Sequence, residues 1–285
     1  MGNKPILTFD TSAINRLVDD PECDILINGL VSGFSLRLTF TSINEVAQTS
    51  GGARREHLFG ICKQLLTSGD CLLPVGELLR MLIQAFDRDT STFEWSEVDV
   101  RLEEAVEAAV RSAVIGDDQS AAAREEAEPM KQLFKRMLDD TKPAFDKVFA
   151  ANPSARPESV GELIGGLQRG GQFWKITRSL YDRIAGHSAD GGAARNFWDR
   201  SAPFQCLMGA LCAALYDRNV RLPNTPRSLK AGWADTFMAV YLPYCDQFVS
   251  ADGGQLACYR EVAQLYVPSL TVRSWCDLRG ALCVS

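Results

Sequence analysis

The sequence has only two histidines, no cysteine pair spaced as C-x-x-C, and no apolar run long enough to span a bilayer. With only His57 and His187, the chain has almost no histidine ligands for a structural zinc centre and few candidates for the base of a histidine-dependent hydrolase. Nine cysteines, an odd number, argue against a fully paired disulfide framework and favour reduced thiols that pack in the core. The longest apolar run, CLMGALCAALY at 206–216, is too short for a membrane helix. We therefore expect a soluble, cytoplasmic protein that has no membrane partner.

The net charge of −6 argues against a broad electrostatic attraction to nucleic acid, but the charge is unevenly distributed. Residues 94–128 contain 11 acidic and 3 basic residues, whereas residues 168–230 contain 10 basic and 4 acidic residues. In FWKITR at 173–178, aromatic residues stand beside basic ones, a combination that can stack bases and neutralise phosphates. Solvated helix faces and core packing would give the same patterns. The candidate nucleic-acid contacts are Arg169, Lys175, Arg178 and Arg183.

The first ninety residues alternate between short β-rich runs and longer segments with helical periodicity. The runs PILTF at 5–9, LRLTFT at 36–41 and CLLPV at 71–75 predict strands. Helical patterns occupy 12–18, 23–31 and 54–67. This alternation predicts an α/β fold, with a parallel sheet that helices cover.

The strand pattern disappears between residues 89 and 227. Amphipathic segments at 97–115, 120–138, 158–168, 173–185 and 203–217 predict helices there. The α/β pattern resumes with a helix at 233–244, a strand QFVS at 247–250, a helix at 254–264 and a short strand in LYVP at 265–268. We therefore predict a discontinuous α/β core, 1–88 and 228–285, interrupted by an all-helical insertion at 89–227.

Four acidic residues stand where separate elements can direct carboxylates into one cleft. Asp10 and Asp252 follow strands, and ligands of open α/β sheets bind outside the carboxyl ends of the strands. Glu45 and Asp235 lie in the predicted first turns of helices, with Ser42 as the cap and Glu45 three residues later. Taken singly, Glu45 and Asp235 are better explained as residues that stabilise the starts of helices than as catalytic residues. Together the four acids form the oxygen-rich set that Mg²⁺ prefers.

The motifs that carry these acids resemble, in their order, the PIN domain family: LTFDTSAI, FTSINEV, DTFMA and FVSAD. The resemblance covers 1–88 and 228–285 and is absent from the middle of the chain. It implies a PIN-like fold and an endoribonuclease whose acidic pocket binds one or two Mg²⁺ or Mn²⁺ ions. It further implies that water attacks the phosphorus in line and that the products carry 5′-phosphate ends.

The same resemblance assigns roles to individual residues. Asp10, Glu45, Asp235 and Asp252 would be the catalytic, metal-binding carboxylates. Three hydroxyl residues would support them through hydrogen bonds: Thr11, Ser12 and Ser250.

Compact members of the family lack the long insertion, so a second reading stays open. In that reading the chain is a PIN-like binding or assembly module, and its pocket is weakly active or idle. The sequence also leaves open whether the substrate is RNA or single-stranded DNA, whether the protein forms a homo-oligomer, and whether it is a toxin with an inhibitory protein partner or a processing or defence enzyme.

Overall fold

The computed structural model describes residues 4–102, 120–222 and 232–283. Five parallel strands form one sheet with helices on both sides, which confirms the predicted α/β class. The strands are β1 (Ile6–Phe9), β2 (Ser35–Thr39), β3 (Gly69–Leu72), β4 (Gln247–Ser250) and β5 (Thr271–Ser274). Their spatial order is β3-β2-β1-β4-β5. The two ends of the chain therefore meet in the centre of the sheet, where β1 pairs with β4.

Thirteen α-helices lie in the described parts of the chain. The helices before the insertion are α1 (Thr11–Asp19), α2 (Cys23–Gly33), α3 (Phe40–Ala47), α4 (Gly52–Leu66) and α5 (Val75–Arg88). The following helices are α6 (Ser120–Ala151), α7 (Val160–Arg169), α8 (Gln172–Ala185), α9 (Gly191–Arg200) and α10 (Ala202–Leu215). The last helices are α11 (Trp233–Met238), α12 (Gly253–Tyr266) and α13 (Trp275–Cys283).

Alternation of side chains along the strands gives the sheet two apolar faces. On one face, residues such as Leu7 and Phe9 of β1 and Leu38 of β2 pack against α1–α4 and α13. On the other face, Phe248 of β4 packs against α12, where its ring meets Tyr259 edge-on at 5.0 Å. Full burial of one such side chain contributes about 1.5–3 kcal/mol. These contacts fix the sheet, and therefore the positions of the residues that follow each strand.

The insertion shares its core with the sheet. Within 89–102 and 120–222 the structure contains five α-helices, and the only β contact there is an isolated bridge between Arg101 and Leu72. Phe197 of α9 lies 5.4 Å, between ring centroids, from Phe86 of α5. One continuous apolar cluster joins these rings to Phe248 of the sheet. The helical segment therefore packs as part of the same hydrophobic core as the sheet.

Two predictions at the ends of strands were wrong. Ser42 does not cap α3; the cap is Thr39, whose side chain accepts a hydrogen bond from the Ser42 amide. Glu45 consequently lies beyond the first turn of that helix. The predicted third strand 71–75 ends at Leu72, because Pro74 already occupies the N-cap position of α5.

Two further predictions about secondary structure need correction. The segment LYVP at 265–268 is not a strand: α12 continues to Tyr266, and the last strand is Thr271–Ser274. Most of the predicted helix 97–115 lies outside the described residues. Its described beginning is not α-helical, because a 3₁₀ turn at Trp95–Glu97 is followed by extended chain that bridges to β3.

Candidate active site

The candidate site lies at the carboxyl ends of β1 and β4. From β1 the chain passes to β2 on one side, whereas β4 lies on the other side, so the strand order reverses between these two strands. Open α/β sheets bind their ligands at such a point, in the crevice outside the carboxyl ends of the strands. Asp10 directly follows β1, and Ser250 is the last residue of β4.

Asp10 is a buried carboxylate, only 3% exposed. It caps α1, because its Oδ1 accepts a hydrogen bond from the Ala13 amide at 2.7 Å. Its Oδ2 accepts from the Ser250 hydroxyl at 2.6 Å, and Ser12 Oγ lies 2.8 Å from both oxygens. Among the described residues, no Lys, Arg or His side chain donates to this carboxylate. Burial raises its pKa to about 6, the hydrogen bonds offset part of this rise, and the charge of Asp235 adds to it.

Glu45 is held beside Asp10 by α3. The Ser42 hydroxyl, fully buried, donates to the carbonyl of Phe9 at 3.1 Å and so ties α3 to the end of β1. The Glu45 carboxylate accepts a hydrogen bond from the Thr11 hydroxyl. Burial raises the pKa of Glu45 to about 7; the Thr11 hydrogen bond lowers it in part, and the charges of Asp235 and Asp10 raise it further. Three acidic groups are therefore close enough to repel one another.

Asp235 reaches this cluster from α11. Its Oδ2 accepts from the Gly232 amide at 2.9 Å, so it stabilises the start of the helix as predicted. Its Oδ1 accepts from the Gln255 side-chain amide at 2.8 Å. Asp235 thus combines a capping contact with a contact to a second helix, α12.

Gln255 is the site residue that the sequence prediction missed. It is 4% exposed, and its Oε1 lies 2.8 Å from Ser250 Oγ. Its Nε2 donates to Asp235 and, at 3.0 Å, to the Tyr259 hydroxyl, which itself donates to the Asp235 carbonyl at 2.7 Å. These contacts use both amide hydrogens and fix the orientation of the amide. Gln255 thereby links the hydrogen-bond networks of Asp10 and Asp235.

A signal for Gln255 was present in the sequence. It stands three residues after Asp252, the spacing of a capping box, which is typical of the start of a helix. The structure uses the side chain differently, because it points to Asp235, 20 residues earlier in the chain.

Asp252 lies beside the cluster, in which the charge of Asp235 raises the pKa of both Asp10 and Glu45. It caps α12 by accepting hydrogen bonds from the amides of Gly254 and Gln255, at 2.8 and 3.1 Å. It also lines a neighbouring groove together with Ser12. The structure thus couples three of the four predicted acids electrostatically and places the fourth at the adjacent rim.

The predicted basic contacts lie on α7 and α8, on the exposed surface. Helix α8 packs against α5, α7 and α9. Arg178 is paired with Asp182 on the same helix, with 3.6 Å between Nε and Oδ2. No hydrogen bond or ion pair in the described parts of the chain joins any of the four to the carboxylates.

The buried carboxylates of the site are oxygen donors of the kind that a divalent cation requires. Buried carboxylates without a cationic partner suit a hard ion such as Mg²⁺, which binds through one or two carboxylates together with waters and substrate phosphates. Within 4–102, 120–222 and 232–283, no three His, Cys, Asp or Glu side chains are arranged so that they could hold one ion together. The chemistry of the donors fits the ion, and a site with two protein ligands meets its requirements.

Comparison with protein-family models, curated proteins and solved structures gave no match to this chain. None of the described helices combines the length and the apolar composition that crossing a lipid bilayer requires.

Proposed function

We propose that this protein is a PIN-like, metal-dependent nuclease that cleaves phosphodiester bonds, and specifically an endoribonuclease. One observation carries the proposal: Asp10, Glu45 and Asp235 converge at the point where the strand order reverses, and no basic side chain in the described structure neutralises Asp10 or Glu45. Clustered carboxylates repel one another, so their convergence has a clear use when a cation binds between them. The choice of RNA over DNA rests on the resemblance to the PIN domain family.

The hydrogen bonds of the site support this proposal. Ser250 and Ser12 orient the Asp10 carboxylate, Thr11 orients that of Glu45, and Gln255 orients that of Asp235. Side chains fixed in this way can receive a cation and a phosphate group with little reorganisation. A bound Mg²⁺ or Mn²⁺ would neutralise charge on the phosphate and activate a water for in-line attack. Two of the three converging carboxylates, Asp10, Glu45 and Asp235, would hold the ion together with waters and the substrate phosphate, and Asp252 would lie at the rim.

The second candidate function is a PIN-like binding or assembly module with an idle pocket. It is favoured by the finding that no three acidic side chains of the described structure are arranged around one ion. The deep packing of the insertion against the sheet is equally compatible with an assembly role. This candidate predicts a stable complex with a protein partner and no cleavage.

The deciding experiment is incubation of the purified protein with total RNA and Mn²⁺, followed by sequencing of the cut ends. Asp10→Asn is the matched control, because it removes the charge and keeps the shape of the side chain. The nuclease proposal predicts Mn²⁺-dependent cuts with 5′-phosphate ends that disappear in Asp10→Asn. Equal cleavage by both proteins, or none by the wild type, contradicts it.

A further inference from the structure

A groove of about 400 Å³ lies next to the carboxylate cluster, between α1, α4 and the start of α12. Its volume falls in the range of roughly 300–1,000 Å³ that is usual for ligand sites. Ser12 and Asp252 line the groove on the side of the cluster. The groove is also lined by Asn15, Arg16, Asp19 and Arg54. The groove and the candidate active site are therefore continuous.

Two arginines of the groove are suited to bind an anion. Arg16 is exposed on α1 and forms no hydrogen bond or ion pair with any residue that the structure describes. Asp19 and Asn15 fix the position of Arg54. Arg54 forms a bidentate ion pair with Asp19 and donates a hydrogen bond to Asn15 Oδ1 at 3.2 Å. A guanidinium has five N–H donors, so Arg54 keeps donors for a ligand. Asp19 and Asp252 are the opposing charges in the groove, and the Arg54 hydrogen bond lowers the pKa of Asp19 and keeps it ionised.

We propose that this groove binds a backbone phosphate of single-stranded nucleic acid, next to the bond that the carboxylate cluster cleaves. Arg16 makes the principal contact and Arg54 the second, while Asp19 weakens the binding. The inference deepens the proposed nuclease function and rests on it. The planar fork of arginine matches phosphate geometry, and Arg16 and Arg54 place two guanidinium groups in the groove beside the carboxylate cluster.

The test is a binding assay in EDTA, so that its outcome does not depend on cleavage. A fluorescent single-stranded oligouridylate is titrated with protein at several salt concentrations. Loss of one phosphate contact reduces the log–log salt slope by about 0.7, which corresponds to about fivefold weaker binding at roughly 0.1 M salt relative to 1 M. Arg16→Ala should show this loss, whereas Asp19→Asn should bind more tightly and with a steeper slope.

Lys63→Ala is the matched control, because Lys63 is an exposed cation at the other end of α4, near the amino-terminal edge of the sheet. It should leave the slope unchanged. Coincident slopes for wild type, Arg16→Ala and Asp19→Asn would overturn the inference, as would an equal loss in Arg16→Ala and Lys63→Ala or a wild type that does not bind. If the wild type cleaves RNA but Arg16→Ala binds the oligonucleotide as the wild type does, the phosphate-binding role of the groove is refuted and the nuclease proposal stands. If binding depends on Arg16 but the wild type does not cleave RNA, the nuclease proposal is refuted and phosphate binding in the groove stands.

Discussion

Raising the pH of the metal-free protein should destabilise it, because Asp10 and Glu45 must then ionise in surroundings that oppose their charge. Burial raises the pKa of Asp10 from 3.8 to about 6. Below about pH 4 this group is protonated in both the folded and the unfolded chain and has no effect. Between about pH 4 and pH 6 the folded protein holds a proton that the unfolded chain has released, so the free energy of unfolding falls as the pH rises.

The size of the effect follows from the two pKa values. A difference between 3.8 and about 6 corresponds to about 3 kcal/mol, at about 1.4 kcal/mol for each pH unit. Glu45, whose pKa rises from 4.5 to about 7, adds an effect of similar size between about pH 4.5 and 7. Because the repulsion between the two groups enters both values, their joint effect is smaller than the sum.

Asp10→Asn isolates one of these contributions. The amide oxygen can keep the capping bond from Ala13, but the amide nitrogen cannot accept from Ser250, and the lost bond costs about 1 kcal/mol. We therefore expect the variant to be about 1 kcal/mol less stable than the wild type near pH 4 and about 2 kcal/mol more stable near pH 8.

The assay is urea unfolding in EDTA across this pH range, with unchanged m values as the test of two-state behaviour. Asp24→Asn, which removes an exposed carboxylate from the first turn of α2, is the control. A stability difference between Asp10→Asn and wild type that does not depend on pH would refute the reasoning about the buried carboxylate.

Three further predictions concern the network, the core and the surface. Gln255→Leu should lower the free energy of unfolding by about 1–3 kcal/mol, because it leaves buried polar groups without partners. It should also reduce Mn²⁺-dependent cleavage. Normal cleavage by this variant would show that catalysis does not require Gln255 to orient the Asp235 carboxylate. Phe197→Ala should cost about 3–5 kcal/mol and leave a single unfolding transition, since the insertion shares its core with the sheet; an independent transition of the helical segment in thermal unfolding would contradict this. If α7 and α8 contact the substrate, a fourfold charge reversal on them should weaken RNA binding and reduce its log–log salt slope by about 0.7 for each lost contact. Coincident slopes would show that this surface does not bind the substrate. The reversed residues are Arg169, Lys175, Arg178 and Arg183.

The sequence predicted the sheet well where local pattern decides the structure. The strand QFVS was predicted with its observed bounds, because it is a short β-rich run between a proline-terminated helix and a glycine pair. The last strand was missed because TVRS is a short edge strand whose side chains are only partly buried. The apolar segment LYVP looked more strand-like, yet Tyr266 stays helical, where its ring meets Trp198 of the insertion.

The sequence indicated that Asp10, Glu45 and Asp235 lie close together, whereas the side chains that hold them mostly could not be predicted. The positions of Asp10 and Asp252 after strands were predicted correctly, because they depend on local sequence. The partners of the site depend on contacts between distant parts of the chain: Gln255 meets Asp235, and Arg54 meets Asp19 of another helix. The cap of α3 was misassigned because Thr39 and Ser42 are both good caps, and the end of β2 decides between them.

Direct measurement of Mn²⁺ binding tests the central claim, that the carboxylate cluster is a divalent-cation site. Free Mn²⁺ is followed by electron paramagnetic resonance as it is titrated into EDTA-treated and desalted protein. Wild type should bind the ion saturably, and both Asp10→Asn and Asp235→Asn should lose most of that binding while remaining folded. Equal Mn²⁺ binding by wild type and both variants, or none by the wild type, would contradict the account.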